Sequence, residues 1–399
     1  MVWPGRFLPL LACFPLVAHA DPVTEPIPPG AMYSIELYDG GVLGNAAVVG
    51  MGGATTAIAI GTAGTLFNAS APAVKPTTDT DYWNWDYHLD YLNGSLSTDY
   101  DNNGLTSENG GTSVFTGGFG VRVGEWAGAF TVTRQAVPVE GMVMTPLGMR
   151  SLGAANTRYQ LAFGRWIRRL DMAFGGAVDV LRFSLGPDCA ATGCTDLFAV
   201  TGAGLEAGWT WAPRQQSFRF GASLVSRVYG ADVESSCDPM DCEGYVLPQS
   251  IVAPWRLSLG GAYRLADTYW NQLVGGYFRD ERSLTVAADV SIVGSSENSF
   301  GLEAFGQHLL QRSGRHPGVS VRGGFEYEVL PGRLRLRAGS YWEPQRFEGV
   351  SGRIHGTAGI EVRVFQFGLL GRERRGRITV TADIASQYRN LGLSIGFWH

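Results

Sequence analysis

From residue 81 onward, apolar and polar residues alternate with a period of two. In 81–92, Trp83, Trp85, Tyr87, Leu89 and Tyr91 share one face, and Asn84, Asp86, His88 and Asp90 share the other. Successive side chains of a strand point to opposite sides, so the segment predicts a strand with one oily and one wet face. The pattern recurs near 126–132, 170–178, 218–224, 255–263 and 284–292. It is cleanest in 319–327, 334–342, 354–362, 378–384 and 391–397, and less regular near 112–123, 156–166 and 198–212. Connections differ in length: short at Val123-Gly124, Arg168-Arg169, Ala212-Pro213-Arg214 and Pro331-Gly332, long and polar at 93–111, 136–155, 184–197 and 228–254. Short turns on one rim and long loops on the other predict a transmembrane antiparallel up-and-down β-barrel. Fifteen segments qualify as strands, but bacterial single-chain barrels have even strand numbers. The poorly alternating 297–310 is therefore assigned to an outer loop, which leaves fourteen. An even count brings both termini to one rim, expected to be periplasmic.

Composition narrows the choice. The 399 residues include 55 Gly, 20 Phe, 15 Tyr and 11 Trp, and only 17 % are charged, against about 25 % for a soluble domain. Mean hydropathy is +0.01, too low for a bundle of transmembrane helices. The net charge of -5 excludes a strongly basic nucleic-acid binder. Strands that face lipid on one side and water on the other cancel to such an average. In a soluble β-sandwich, the outward faces would carry many Lys, Glu and Thr; here the polar faces are sparse and Gly-rich.

Arg6, an apolar stretch over 7–17 and Ala18-His19-Ala20 form an export signal with an A-x-A cleavage pattern, giving a signal peptide over 1–20, with Leu10-Leu11-Ala12-Cys13 as a rival lipoprotein box. Two C-x4-C pairs follow, Cys189/Cys194 and Cys237/Cys242, in turn-rich stretches. Outside the cytoplasm they read as two loop staples; neither the C-x2-C spacing nor the nearby His of a metal site is present. The aromatic end of the last strand, at Phe397, is the tag through which barrel-assembly machinery takes up such chains.

Residues 43–67 carry no charge but hold Gly44, Gly50, Gly52, Gly53, Gly61 and Gly64. This is too weakly apolar to span lipid as a helix and is expected to be buried in protein, where small residues permit close backbone approach. Residues 45–73, with the turn Phe67-Asn68-Ala69-Ser70-Ala71-Pro72, resemble the N-terminal signature of the long-chain fatty-acid transporter family of outer-membrane barrels (FadL-like), the Pro being displaced by insertion. The strand at 254–263 and the hairpin at 319–344 add to the resemblance. It implies a fourteen-stranded barrel with an N-terminal plug in the lumen, here involving Gly50, Gly52, Gly53, Phe67 and Asn68. It also implies passage of hydrophobic compounds such as long-chain fatty acids, without catalysis or cofactor. The organisation expected is a signal peptide at 1–20, an extension and plug at 21–80 and a barrel at 81–399. The protein is expected to be a monomer in the Gram-negative outer membrane, in contact with its lipid and binding no nucleic acid. A scaffold barrel for secretion or surface assembly and a general porin are the alternatives.

Candidate chemistry lies on the wet faces. Arg322, Glu326 and Glu328 share a side with Arg333, Arg335 and Arg337, and Glu361, Arg363, Arg377 and Asp383 extend the set. Opposite charges across strands pair favourably, which predicts a lumen ladder of ion pairs; an Arg there could instead bind a carboxylate bidentately. Asp86, His88 and Asp90 could form an acid–base dyad but are read as a solvated face. Asp99-x-Asp101-x-Asn103-Gly104 opens like a calcium loop, yet position twelve is Gly110 rather than Glu, so a polar turn is expected and no metal.

Overall fold

Fourteen antiparallel strands close into a barrel in the computed structural model, which describes the chain apart from residues 1–20, 29, 38–39, 76–80, 107–110, 146–147, 189–194, 273–277, 370–371 and 398–399. The strands are β1 (Trp83–Asn93), β2 (Ser113–Val123), β3 (Trp126–Thr145), β4 (Gly148–Ile167), β5 (Met172–Pro187), β6 (Phe198–Trp211) and β7 (Phe218–Val225). There follow β8 (Arg256–Ala266), β9 (Ser283–Val293), β10 (Gly318–Leu330), β11 (Leu334–Glu343), β12 (Arg353–Leu369), β13 (Arg372–Ala385) and β14 (Tyr388–Phe397). Each pairs with its neighbours, and β14 returns to β1 with Leu391 opposite Asn93 and Gly396 opposite His88. Closure leaves no free edge, so the ladder satisfies the wall's backbone polar groups.

Burial runs opposite to that of a soluble protein. On β14, Leu391, Leu393 and Ile395 are exposed while Asn390 and Ser394 are buried; on β13, Val380 and Ile384 are exposed while Thr379, Thr381 and Asp383 are buried. An apolar outside around a polar inside is matched to hydrocarbon. Among the described residues no helix is long and apolar enough to cross a membrane; crossing falls to the strands.

The rims differ as expected, with one correction. The stretch 136–155 is not a loop. β3 and β4 are each twenty residues long and continue through it as a projecting hairpin. Val139, Val143 and Leu152 on its inner side are buried in an apolar cluster with Tyr33, Ile35, Phe183, Phe198, Tyr245 and Phe305. That cluster is the core of a cap over the long-loop rim. Its small sheet sets Ser34–Glu36 parallel to both Ser250–Ala253 and Ser299–Phe300. The stretch 297–310 contributes a short helix, Leu302–Gly306, to this cap and no barrel strand, so the count of fourteen stands. Cys237 and Cys242 are disulfide-bonded within the cap; Cys189 and Cys194 lie outside the described residues.

The described ends do not meet at one rim, contrary to expectation. At the long-loop rim, the Val23 N–H donates to the Glu348 carbonyl (3.3 Å) and Glu25–Pro26 pairs with Leu309–Leu310. Phe397 lies at the other rim, its ring centroid 4.8 Å from that of Trp85 and 4.7 Å from that of Tyr87. Strand parity fixes only where the last strand ends. The parallel pairing of Ser34–Glu36 draws the preceding chain to the cap, and residues 40–75 then descend inside the wall to reach β1.

Candidate functional site

The descending segment is fastened by carboxylates that project inward from two strands, β1 and β9. Asn45 caps the short helix α1 (Ala46–Gly50), its Oδ1 accepting from Ala47 N–H (2.9 Å). Its Nδ2 donates to Asp90 (2.9 Å) and to Ser394 (3.2 Å). Past α1 the chain turns through Gly52 and Gly53, both at positive φ (63° and 73°), a conformation a Cβ disfavours. The N–H groups of Thr55 and Thr56 then donate to one Asp289 oxygen at 2.9 and 2.8 Å. Thr62 donates its N–H and hydroxyl to Asp86 (2.9 and 3.1 Å), and its hydroxyl lies 2.9 Å from His88 Nδ1. Asn68, expected in the segment from its motif, donates to the carbonyls of Thr56 (2.9 Å) and Trp209 (3.0 Å) and accepts from Ser70. Phe67 packs half-buried against the cluster of Val42, Val48 and Tyr341.

The Asp86–His88–Asp90 face is thus not solvated. His88 and Asp90 are buried, and all three residues grip the segment. Each carboxylate accepts backbone N–H groups that short non-repetitive turns leave free; buried donors need such partners.

Inward-facing glycines make room for this grip. A Cβ on Gly175 would overlap the Ala69 carbonyl, one on Gly221 the Thr56 carbonyl, and one on Gly324 the Met51 carbonyl. Gly208 meets Asn68 and Ser70, Gly339 meets Met51 and Gly52, and Gly359 lies against Gly50. These glycines belong to six strands and form a track on which the segment lies backbone to backbone. Their signal in the sequence was glycine on the wet faces of successive strands.

Cavities flank the segment. On the cap side is a cavity of about 140 Å³ lined by Leu37, Leu66, Phe67, Val225, Arg256 and Arg322. On the short-turn side is a chamber of about 280 Å³ lined by Met51, Ile58, Trp270, Phe278 and many Arg and Glu side chains. The expected ladder lies in that chamber. Glu361 accepts from Arg335 (3.3 Å), Arg337 (3.0 Å), Arg377 (3.2 Å) and the Thr379 hydroxyl (2.9 Å). Arg337 also pairs with Glu326 and Arg335 with Glu328 (3.1 Å). Arg322 is separate, on the cap side, with its Nε 3.3 Å from Ser320. Arg333 is an exposed turn residue, and Arg363 stands beside the cluster opposite Arg377.

Sequence reasoning missed a buried network around Asp383. His355 joins Asp383 (2.9 Å) to Glu343 (2.8 Å), and Tyr341 donates to Asp383 (2.7 Å) while receiving Val42 N–H (3.1 Å). Residues 341, 343, 353, 355 and 383 all share wet faces, but only the register sets Tyr341 opposite His355.

The calcium-like stretch is a polar turn. The Asp99 carboxylate accepts from Asn103 and Gly104 N–H (both 3.0 Å). Asn103 Nδ2 bridges Asp101 (3.2 Å) and Glu303 (2.8 Å). Burial, with Asp99 and Glu140 adding repulsion against the Asn103 hydrogen bond, raises the Glu303 carboxyl from 4.5 to about 7. The folded cap therefore holds the Glu303 proton more tightly than the unfolded chain. Stability from this group is full below pH 4.5 and falls as pH rises through about 7. Intrinsic-rate-corrected hydrogen exchange of the cap should show stronger protection at pH 5 than at pH 8. Glu303→Gln should flatten that difference; a difference that persists unchanged in the variant refutes the assignment.

The chain's sequence matches no protein-family model and no curated protein. Solved structures do match. The P. putida toluene transporter TodX aligns with a TM-score of 0.55 at 14 % identity, covering 90 % of this chain and 98 % of that one. The Ralstonia pickettii toluene transporter TbuX gives 0.51 at 13 %, covering 90 % and 98 %. A Pseudomonas aeruginosa FadL homologue gives 0.51 at 11 %, covering 92 % and 98 %. At these identities the likeness is one of fold: this chain has the closed fourteen-stranded barrel fold of the FadL-type channels.

Proposed function

We propose that this protein is an outer-membrane channel for hydrophobic compounds, with residues 45–74 as the plug that keeps its lumen closed to free diffusion. The observation that carries this reading is the fastened segment itself. An uncharged stretch is held across the lumen by Asp86, Asp90 and Asp289, with a partly apolar cavity on the cap side of it. A general porin needs an open aqueous path, which such a segment works against. The toluene transporters with the same fold support the substrate class; monoaromatic hydrocarbons and fatty-acid-like amphiphiles both belong to it.

Capture draws on the transfer of apolar surface from water, about 0.8 kcal/mol per buried methylene, to Leu66, Phe67, Val225 and Val293 around the cap-side cavity. Export as a monomer, with assembly through the strand ending at Phe397, completes the proposal, and the Cys237–Cys242 bridge is consistent with an oxidising compartment.

The test is uptake of labelled toluene and labelled oleate by cells lacking the protein and by cells complemented with it. Restored uptake of at least one, together with low ion conductance in planar bilayers, is expected. Unchanged uptake of both with a large, steady conductance would establish a porin instead.

A further inference from the structure

The short-turn chamber contains a buried cation that the ion-pair ladder leaves out. Arg219 is only 3 % exposed and lines this chamber. Its Nε donates to Asn271 Oδ1 (2.8 Å), and Asn271 is in turn held by the Phe218 carbonyl (2.9 Å). Its guanidinium carbon lies 4.2 Å from the centre of the Trp270 ring. No carboxylate pairs with it among the described residues. The two nearest charges are also arginines, Arg264 and Arg279, and both pair with the single carboxylate of Glu281 (3.3 and 2.6 Å). The other side of the chamber is balanced: Arg335, Arg337 and Arg377 face Glu326, Glu328 and Glu361. Arg219 is thus left without a carboxylate among the described residues, beside two arginines that Glu281 attracts and, for Arg264, Glu328 as well.

Burying an uncompensated charge is costly, and a guanidinium presents paired donors shaped for a planar carboxylate. The chamber's lining is mixed: beside its Arg and Glu side chains it offers the apolar surfaces of Trp270, Phe278, Met51 and Ile58. Its volume of about 280 Å³ lies just under that of usual ligand pockets, roughly 300–1,000 Å³, which limits it to a compact ligand. We infer that this chamber binds a compact aromatic carboxylate, its oxygens on Arg219 and Arg264 and its ring against the apolar lining on the far side of the plug from the capture cavity. The inference deepens the proposed function by adding an anion site at the opposite end of the lumen.

The test is calorimetric titration of the purified full chain in a neutral maltoside detergent, with benzoate, benzyl alcohol, octanoate and inorganic phosphate as probes. Benzoate should bind at one site. Arg219→Gln should weaken it by roughly ten- to a hundredfold, the loss expected for a charge-assisted hydrogen-bonded contact, and Arg219→Lys by less. Arg165→Gln, at an exposed arginine paired with Glu125 outside both cavities, should leave it unchanged. Heat-modifiable gel migration checks the folding of each variant, and Arg264→Gln carries the test should Arg219→Gln misfold. Three outcomes overturn the site: benzoate affinity indifferent to both substitutions, benzyl alcohol losing affinity equally, or phosphate or octanoate binding more tightly than benzoate with the same Arg219 dependence. Toluene uptake by the Arg219→Gln variant separates the two readings. Uptake at the wild-type level alongside lost benzoate binding supports both; uptake by wild type without any benzoate binding sinks the site alone.

Discussion

Replacing Gly324 by valine should open the barrel. Gly324 faces inward on β10, and any Cβ there overlaps the Met51 carbonyl, with the Met51 carbonyl carbon at 2.8 Å and its Cα at 2.9 Å. All three are backbone atoms of a turn pinned by the Gly52 and Gly53 conformations, so no side-chain rotation relieves the clash. The wall cannot yield either, because β10 is paired along its length with β9 and β11. Overpacking of this kind costs about 1–3 kcal/mol, spent on the more weakly held partner, the segment. The expected result is a properly assembled barrel whose ion conductance in planar bilayers rises well above the wild-type level. Gly175→Val, which meets Ala69 and Ser70 on the opposite wall, should do the same. Gly323→Val is the control: it faces outward, and a Cβ there meets nothing. Wild-type conductance in both inward variants would mean that the segment does not close the lumen.

Glu361→Gln is expected to be the most destabilising substitution in the wall. Glu361 is buried and receives Arg335, Arg337, Arg377 and Thr379. Glutamine keeps the shape but removes the charge, which leaves three guanidiniums facing one another with only Glu326 and Glu328 to share. Removing one partner of a buried ion pair typically costs about 3–5 kcal/mol. The amide's own N–H₂ would also point toward donors. Urea unfolding in phospholipid vesicles, followed by tryptophan fluorescence, should show a loss of that order. Arg333→Gln, on an exposed turn, should stay within about 0.5 kcal/mol of wild type. A loss below about 1 kcal/mol for Glu361→Gln would show that water in the chamber screens the cluster.

Much of this was legible beforehand because the wall obeys one local rule. Period-two alternation assigns every side chain to lipid or lumen without reference to the rest of the fold, so Glu326, Arg337 and Glu361 could be grouped from the sequence. The same rule misjudged Asp86, His88 and Asp90. It places them on the inner side but does not say that protein rather than water fills the space before them. It also mistook 136–155 for a loop, since Val139, Val143 and Leu152 alternate only in step with a cap core assembled from Tyr33, Phe198, Tyr245 and Phe305. Arg219 went unremarked for a related reason: a missing counter-charge becomes visible only once every neighbour is known.

Alternation, turn length and wet-face glycine thus determined the barrel, its strand number and which residues face the lumen, because each is set by neighbours a few positions apart. The tertiary structure decided the path of the described residues between 21 and 75, the rim at which that path begins, and the placing of one mixed and one more arginine-rich cavity beside it. Those depend on pairings such as Ser34 with Ser250, Asn45 with Ser394 and Thr56 with Asp289. They join residues hundreds of positions apart, and closure of the barrel is what brings them within hydrogen-bonding distance.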